Sequence, residues 1–557
     1  MLRRLTQERL LGQTPRPACA FRGGLRSADI PAGHAGSHRP DLSDTVASGR
    51  SGAIQWDRDG PWGIVTRRRL AVCWTAACWT AVGWTTVGWT TVWTAGIVAV
   101  ASLAGAEADP DALPPEVQRP DFLRNRPYIP DELLVDKREH GYITGIPAVG
   151  WDAEEGFNVG AFLELYENGS WDDPFFRTTP YRRKILVGGV VTTEEVFRIL
   201  GRVDWPNIAD TANRIRLDAL FENSQNRNYF GVDDEDARLR SPRSGQSFRD
   251  FQSYQDDLDL LVPGGQDGCA VGQVCTNARY DKYEAKDAIA VLSLERDMLG
   301  GLLRPLLGFQ VRWIDVDDLT GERVDQVGGR HSARQLPTRL FRDCQQRIVD
   351  GCRGGWDNFV KLGLSYDTRD FAPNPTRGVF AEAVAALSAR AFGSEGDYQR
   401  ITLSGSVFRD LFEGRETSQN LIFAARATYH VVFGNPPFYA MPKLGFSDFD
   451  RAGLGGYLTF RGLKSNRLVG ESAALVNGEL RWFFAETVFI GEHLRFGLAG
   501  FTDMGRSFED ATLDLRGWKF GGGGGFRLAW NLATLVSFDL AATSEDQVFY
   551  MELGTQF

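Results

Sequence analysis

Apolar and polar residues alternate almost throughout the stretch from Tyr457 to Phe557. At its end, Val548, Tyr550, Glu552, Gly554 and Gln556 fall on one face, and Phe549, Met551, Leu553, Thr555 and Phe557 on the other. A period of two lets one strand face meet lipid while the other meets a wet lumen, so the pattern predicts the closing strand of a transmembrane β-barrel. The same alternation recurs upstream. Phe157, Val159, Ala161, Leu163 and Leu165 share a side, and Ile215, Leu217, Ala219 and Phe221 oppose Arg214, Arg216, Asp218 and Glu222. Charges on every second residue would be costly in a strand buried on both faces, but they sit comfortably in a wet lumen. Similar strands are predicted at Lys361–Asp367, Ile401–Phe408, Leu475–Phe483, Leu494–Asp503 and Leu535–Leu540. At that spacing, 141–557 holds about sixteen antiparallel strands, an all-β transmembrane barrel with the even strand number usual for such chains. Long acidic or glycine-rich connections, such as 231–268 and 315–356, are expected on the cell exterior, with short turns on the other side.

The first 140 residues do not share this period. Residues 1–69 are rich in Arg, Gly, Ser and Pro and read as a disordered leader or as sequence upstream of the true start. Arg67-Arg68-Arg69 then precedes an apolar run from Leu70 to Leu103, in which Trp74, Trp79, Trp84, Trp89 and Trp93 are each followed by Thr. Ala104-Gly105-Ala106 closes it. Basic cluster, apolar run and small-residue site describe a secretory signal over 70–106, with a membrane anchor as the alternative. The Pro-rich, acidic stretch 107–140 is expected to be a periplasmic linker.

Composition narrows the options. With 62 Lys+Arg against 72 Asp+Glu, the chain carries a formal net charge of -10 and gives no reason to expect nucleic-acid binding. Mean hydropathy is -0.26, which argues against a polytopic helical membrane protein and leaves a barrel open, because alternation hides its apolar face. Cys19, Cys73 and Cys78 lie in the leader region. Cys269 with Cys275, and Cys344 with Cys352, form two close pairs in polar stretches and are expected as loop disulfides made in an oxidising compartment. A zinc site would need Cys-x-x-Cys spacing or nearby histidines, and neither is present. No catalytic constellation emerges either. The glycines from Gly521 to Gly525 lack the Lys-Ser/Thr of a phosphate loop and are expected where a barrel wall bends or packs closely. Asp315, Asp317, Asp318 and Gly321 do not match calcium-loop spacing. There is no Gly-x-Ser-x-Gly elbow, and the six histidines, His331 among them, are scattered. No enzyme activity, metal or cofactor is therefore expected.

Several motifs occur together in order. Phe460-Arg461-Gly462-Leu463 is followed by Asn477-Gly478-Glu479-Leu480-Arg481 and Gly500-Phe501-Thr502-Asp503-Met504-Gly505. Tyr366-Asp367-Thr368-Arg369-Asp370 and Pro375-Thr376-Arg377-Gly378 precede them, and Gly554-Thr555-Gln556-Phe557 ends the chain. This set resembles the Omp85 superfamily, or bacterial surface antigen D15 type, most strongly over 356–557 and continuously back to about residue 141. Leu463 stands where the family's Arg-Gly-aromatic loop motif has its aromatic residue. The resemblance implies a loop folded back into the lumen, with its arginine meeting acidic residues of the wall. Alternation agrees with that geometry: Asn477, Glu479 and Arg481 share one face, and Asp503 lies on the face with Arg495. Arg461 is thus expected to pair with Glu479 or Asp503. The resemblance also makes Gly554 and Phe557 part of a terminal assembly signal. Family members that assemble or secrete proteins carry periplasmic (POTRA) domains ahead of the barrel; 107–140 is too short for one, and the chain resembles a reduced, barrel-only member.

Two functional readings follow. In the first, an integral protein of the bacterial outer membrane acts as a conduit or as an insertion and translocation device. The Arg461 loop plugs its lumen, or the seam between first and last strands opens. In the second, a surface-structural or adhesive barrel binds an external partner through its disulfide-pinned loops. Expected partners are outer-membrane lipids and the barrel-assembly machinery. Unfolded outer-membrane protein clients or a separate periplasmic subunit come with the first reading.

Overall fold

The computed structural model describes residues 117–557, apart from short stretches at 135–136, 153, 233–237, 328–330, 414–418, 490–491, 512–513, 515, 531–533 and 555. The expected leader, secretory signal and Cys19, Cys73 and Cys78 lie outside the described residues.

Sixteen long strands form an antiparallel meander. They are β1 (Gly141–Asp152), β2 (Gly156–Glu167), β3 (Arg183–Thr192), β4 (Phe197–Trp205), β5 (Asn213–Asn228), β6 (Lys282–Arg296), β7 (Leu303–Asp317) and β8 (Phe359–Asp367). Then follow β9 (Gly378–Ser388), β10 (Tyr398–Asp410), β11 (Asn420–Gly434), β12 (Ser472–Phe489), β13 (Glu492–Phe508), β14 (Lys519–Trp530), β15 (Thr534–Thr543) and β16 (Gln547–Leu553). Each pairs with the next, as an up-and-down barrel requires. The ladder continues unbroken to β16. First and last strands lie side by side, and the Trp151 and Phe549 rings are 6.4 Å apart. Among the described residues no backbone ladder joins them.

Alternation becomes geometry here. Leu163, Val187, Ile199, Leu217, Phe309 and Leu403 point outward and stay exposed in the isolated chain, forming the band that meets lipid. Between such residues the inward positions carry many charges, among them Glu164, Arg198, Arg216 and Asp218. A charge in this lumen is stable only with a partner at hand, and the partners sit on adjacent strands. One run passes through Arg198, Glu222, Arg227, Asp287, Arg312 and Asp357. A second, nearer the short turns, passes through Asp204, Arg214, Glu295, Arg304 and Asp367.

The two ends differ as expected. The segments 229–281, 318–358 and 435–471 leave one end, and the first two fold into a cap of their own. Helix Phe251–Leu258 begins at Asp250, whose carboxylate accepts the Ser253 N–H, and helix Arg339–Gln346 begins likewise at Thr338. Pieces of both segments meet in a small four-stranded sheet. The disulfides Cys269–Cys275 and Cys344–Cys352 both form here. Asp317 and Asp318 accept the N–H groups of Leu319 and Thr320, as turn-forming aspartates do.

Two features depart from the reading of the sequence. The stretch ahead of β1 is packed: Leu123, Ile129 and Leu134 are buried against the short-turn end. And the alternation of the last strand stops at Leu553. Gly554 takes φ 107°, a conformation open to glycine, and the chain turns inward. Phe557, expected on one face with Phe549, instead lies inside the barrel, 6.2 Å from the Phe408 ring and under the Arg426 guanidinium.

Candidate functional site

The site is built on the 435–471 segment between β11 and β12, which folds back into the lumen. Its apolar residues explain why: Leu444, Phe446, Leu454, Phe460, Leu463 and Leu468 bury together against Ala473 and Leu475 of β12. Tight reversals at Gly455 and Gly456, both with positive φ, let the segment double back; a Cβ at Gly455 would lie 1.9 Å from the Lys464 carbonyl oxygen.

Arg461 sits at the tip of this fold with no exposed surface. Its Nε and Nη2 donate to the two oxygens of Asp503 at 2.8 and 3.1 Å, a bidentate pair that the Arg461 backbone N–H supplements at 3.1 Å. Nη1 reaches Glu479 at 3.1 Å and Asp539 at 3.2 Å. The guanidinium lies 3.4 Å above the Phe501 ring. Glu479 also accepts from Arg481 and Arg527, both at 3.0 Å, and Arg527 pairs with Asp539. Three arginines and three carboxylates, all buried, therefore neutralise one another.

The structure thus brings Arg461 together with both expected acids, Glu479 and Asp503. It adds Asp539 and Arg527, which sequence reasoning missed. Part of their signal was present: Asp539 is the one charge of Thr534–Thr543, and Arg527 stands at an inward position of a strand that is otherwise glycine-rich and apolar apart from Lys519 at its start. The glycine run finds its reason in the same place. A Cβ at Gly521 would meet Phe460 at 2.9 Å and one at Gly525 would meet Asp539 at 1.9 Å. The wall is stripped of side chains where the loop and its ion cluster press against it.

The loop also grips the wall on several sides. Lys361 of β8 donates to the Phe446 carbonyl and to Asp450, and Arg400 of β10 pairs with Asp450. The Ser447 N–H donates to Glu382 of β9 at 2.9 Å. At the seam, Gly462 donates its N–H to the Tyr550 hydroxyl of β16 at 3.2 Å, and Ser465 donates its own to Glu154, in the β1–β2 turn, at 2.7 Å. The chain end joins in: Gln556 Nε2 donates to the Thr459 carbonyl at 2.6 Å, and Arg481 donates to the Phe557 carbonyl at 3.2 Å. Between the loop and the short-turn end lies a cavity of about 360 Å³, lined among others by Arg214, Glu295, Arg304, Glu382, Arg426 and Phe557.

A sixteen-stranded antiparallel wall, apolar outside and ion-paired inside, defines an integral outer-membrane β-barrel. The family comparison names its kind. The model of the Omp85 superfamily domain matches residues 277–557, half of the chain, and the chain belongs to that superfamily. A domain of unknown function (DUF5982) matches residues 121–182. Among solved structures, one similar chain is BamA from Haemophilus ducreyi lacking POTRA domains 1-3, at 13% identity and TM-score 0.41, covering 75% of this chain and 70% of that one. Another is CdiB from Escherichia coli, at 12% identity and TM-score 0.42, covering 74% of this chain and 62% of that one. No curated protein matches the chain.

Proposed function

We propose that this barrel is a conduit or membrane-insertion device of the outer membrane, as membership of the superfamily implies, with the Arg461 loop as the element that holds it shut. One observation carries the reading: within four residues the loop is bonded to both sides of the seam, to Tyr550 of β16 and to Glu154 beside β1. Where backbone bonds between neighbouring strands are missing, such a clasp decides whether the wall parts. The buried ion cluster supplies the anchor, because lifting Arg461 away would leave three carboxylates short of a partner.

Arg461→Ala tests this. Raised conductance in planar bilayers, with the folded barrel retained, is the expected result; unchanged conductance in a folded barrel would count against it. Quantifying the outer-membrane proteome after depletion then separates the two versions. Selective loss of other barrels supports insertion of clients, and an unchanged proteome supports a pore.

A second reading has its own observation. The described parts of 229–281 and 318–358 are folded and disulfide-pinned, as a surface that binds an external partner would be. Shaving them should then abolish binding and leave permeability alone.

A further inference from the structure

The region matched by the domain of unknown function begins before the barrel, and its first part lies across the short-turn end. Three turns hold it there. On the β6–β7 turn, Asn125 donates its N–H to Gly300 and its side-chain amide to Leu299, at 2.9 and 3.0 Å. Gly301 has no side chain where Leu123 rests, and a Cβ there would lie 3.1 Å from the leucine. On the β2–β3 turn, the Ile129 N–H donates to the Arg177 carbonyl at 2.9 Å, Asp131 pairs with Arg177 at 2.8 Å, and Lys137 Nζ donates to Thr179 at 2.6 Å. On the β8–β9 turn, Phe371 packs into one buried cluster with Ile129, Leu134 and Phe176.

These turns are spread over the rim from β2 to β9. A segment bound to all three runs across the opening as a chord. A free linker would have no cause to bury leucines and an isoleucine, since burial of each contributes only when a matching surface is present. The chord also reaches inward: Arg126, with Thr179 and Pro180 of the β2–β3 turn, lines the luminal cavity.

We propose that residues 119–134 and Lys137, with the turn 168–182 beneath them, form a strap that closes the periplasmic mouth of the lumen and lifts to open it. The cavity is then a chamber with two closures, the arginine loop toward the exterior and the strap toward the periplasm. The consequence for transport rests on the conduit reading above; the closure itself does not. The strap is the weaker of the two, being held by one small apolar cluster, a partly exposed Asp131–Arg177 ion pair and scattered hydrogen bonds where the loop has a buried six-residue ion cluster. Weakly packed segments open locally without global unfolding.

The test places a thiol in the chamber of the full-length, detergent-solubilised barrel, as Ser404→Cys, and follows its reaction with a water-soluble methanethiosulfonate. Labelling is read at position 404 by peptide mass, and folding by heat-modifiable gel migration. Ile129→Ser with Leu134→Ser loosens the strap from its own side, and Phe371→Ala loosens it from the rim. Labelling faster by roughly tenfold or more in either folded variant is the expected result. An unchanged rate in the folded variants would overturn the proposal. Faster labelling in a strap variant, with bilayer conductance still unchanged when Arg461→Ala is added to open the second closure, would uphold the strap and remove the conduit reading instead.

Discussion

Ser465 donates its backbone N–H to Glu154 Oε1 at 2.7 Å, across the line where the first and last strands meet. This bond joins the luminal loop to the turn that begins the barrel, while Gly462 and Tyr550 join the same loop to the strand that ends it. Glu154→Ala should therefore loosen the seam. A hydrogen bond to a charged group contributes about 1.5–3 kcal/mol, so the variant should lose its folded gel mobility at a lower temperature. An unchanged transition temperature would remove the clasp from the account of the seam.

The ion cluster predicts a graded series at Arg461. Arg461→Ala leaves buried carboxylates uncompensated and should cost about 3–5 kcal/mol. Arg461→Lys keeps the charge but loses the bidentate fork on Asp503, and should fall between that variant and the parent. Coupling Arg461→Ala with Asp503→Ala should restore part of the loss, because it removes a buried acid left without its main partner. Denaturant titrations of the refolded barrel give all three values, and equal losses in the single and double variants would refute the pairing.

The glycines of β14 predict a side-specific effect. Gly525→Ala would drive a methyl into Asp539 and should reduce the fraction of chain that reaches the folded form. Gly500→Ala, on β13 where nothing lies within 4 Å, should be tolerated and serves as the control. Similar losses in both would mean that glycine is needed there for its backbone freedom and not for the space it leaves.

The strap carries a pH dependence. Burial pushes the Lys137 ammonium down to about 7, against a favourable Asp173 and an unfavourable Arg182. Below pH 7 the lysine is protonated both docked and free, and docking then bears the full cost of burying a charge. As pH rises from 7 toward the ordinary lysine value, the free strap holds the extra proton and docking strengthens. Labelling of a thiol at 404, divided at each pH by the rate for a free thiol to remove the thiolate's own titration, should accordingly be relatively faster at pH 6 than at pH 9. Lys137→Met should flatten that profile. A profile equally steep in the substituted protein would move the dependence to another group.

Much of this architecture was legible because a barrel wall writes itself into sequence at period two. Arg214, Arg216, Asp218 and Glu222 announced their inward face by alternating with Ile215, Leu217, Ala219 and Phe221, and the lumen then supplied partners on neighbouring strands. Arg461, Glu479 and Asp503 were readable from motif and parity together. Asp539 and Arg527 stood out only as charges at inward positions; their partners were not readable, since pairing across three strands is a property of the closed wall. The strap escaped for a different reason. Leu123, Ile129 and Leu134 are too sparse to show a period, and what buries them is a set of turns far away in the chain. Phe557 misled because the alternation before it is regular; a single glycine, Gly554, redirects the residues that follow.

That redirection decides from which side the Phe557 ring can be recognised. The final phenylalanine is enclosed by Arg426, Arg481 and Phe408, on the far side of the wall from lipid. It can be reached from outside only while the last strand is still undocked. In the finished barrel a partner that reads the Phe557 ring must come from the lumen, while Phe549, on the same strand end, is offered to the lipid side.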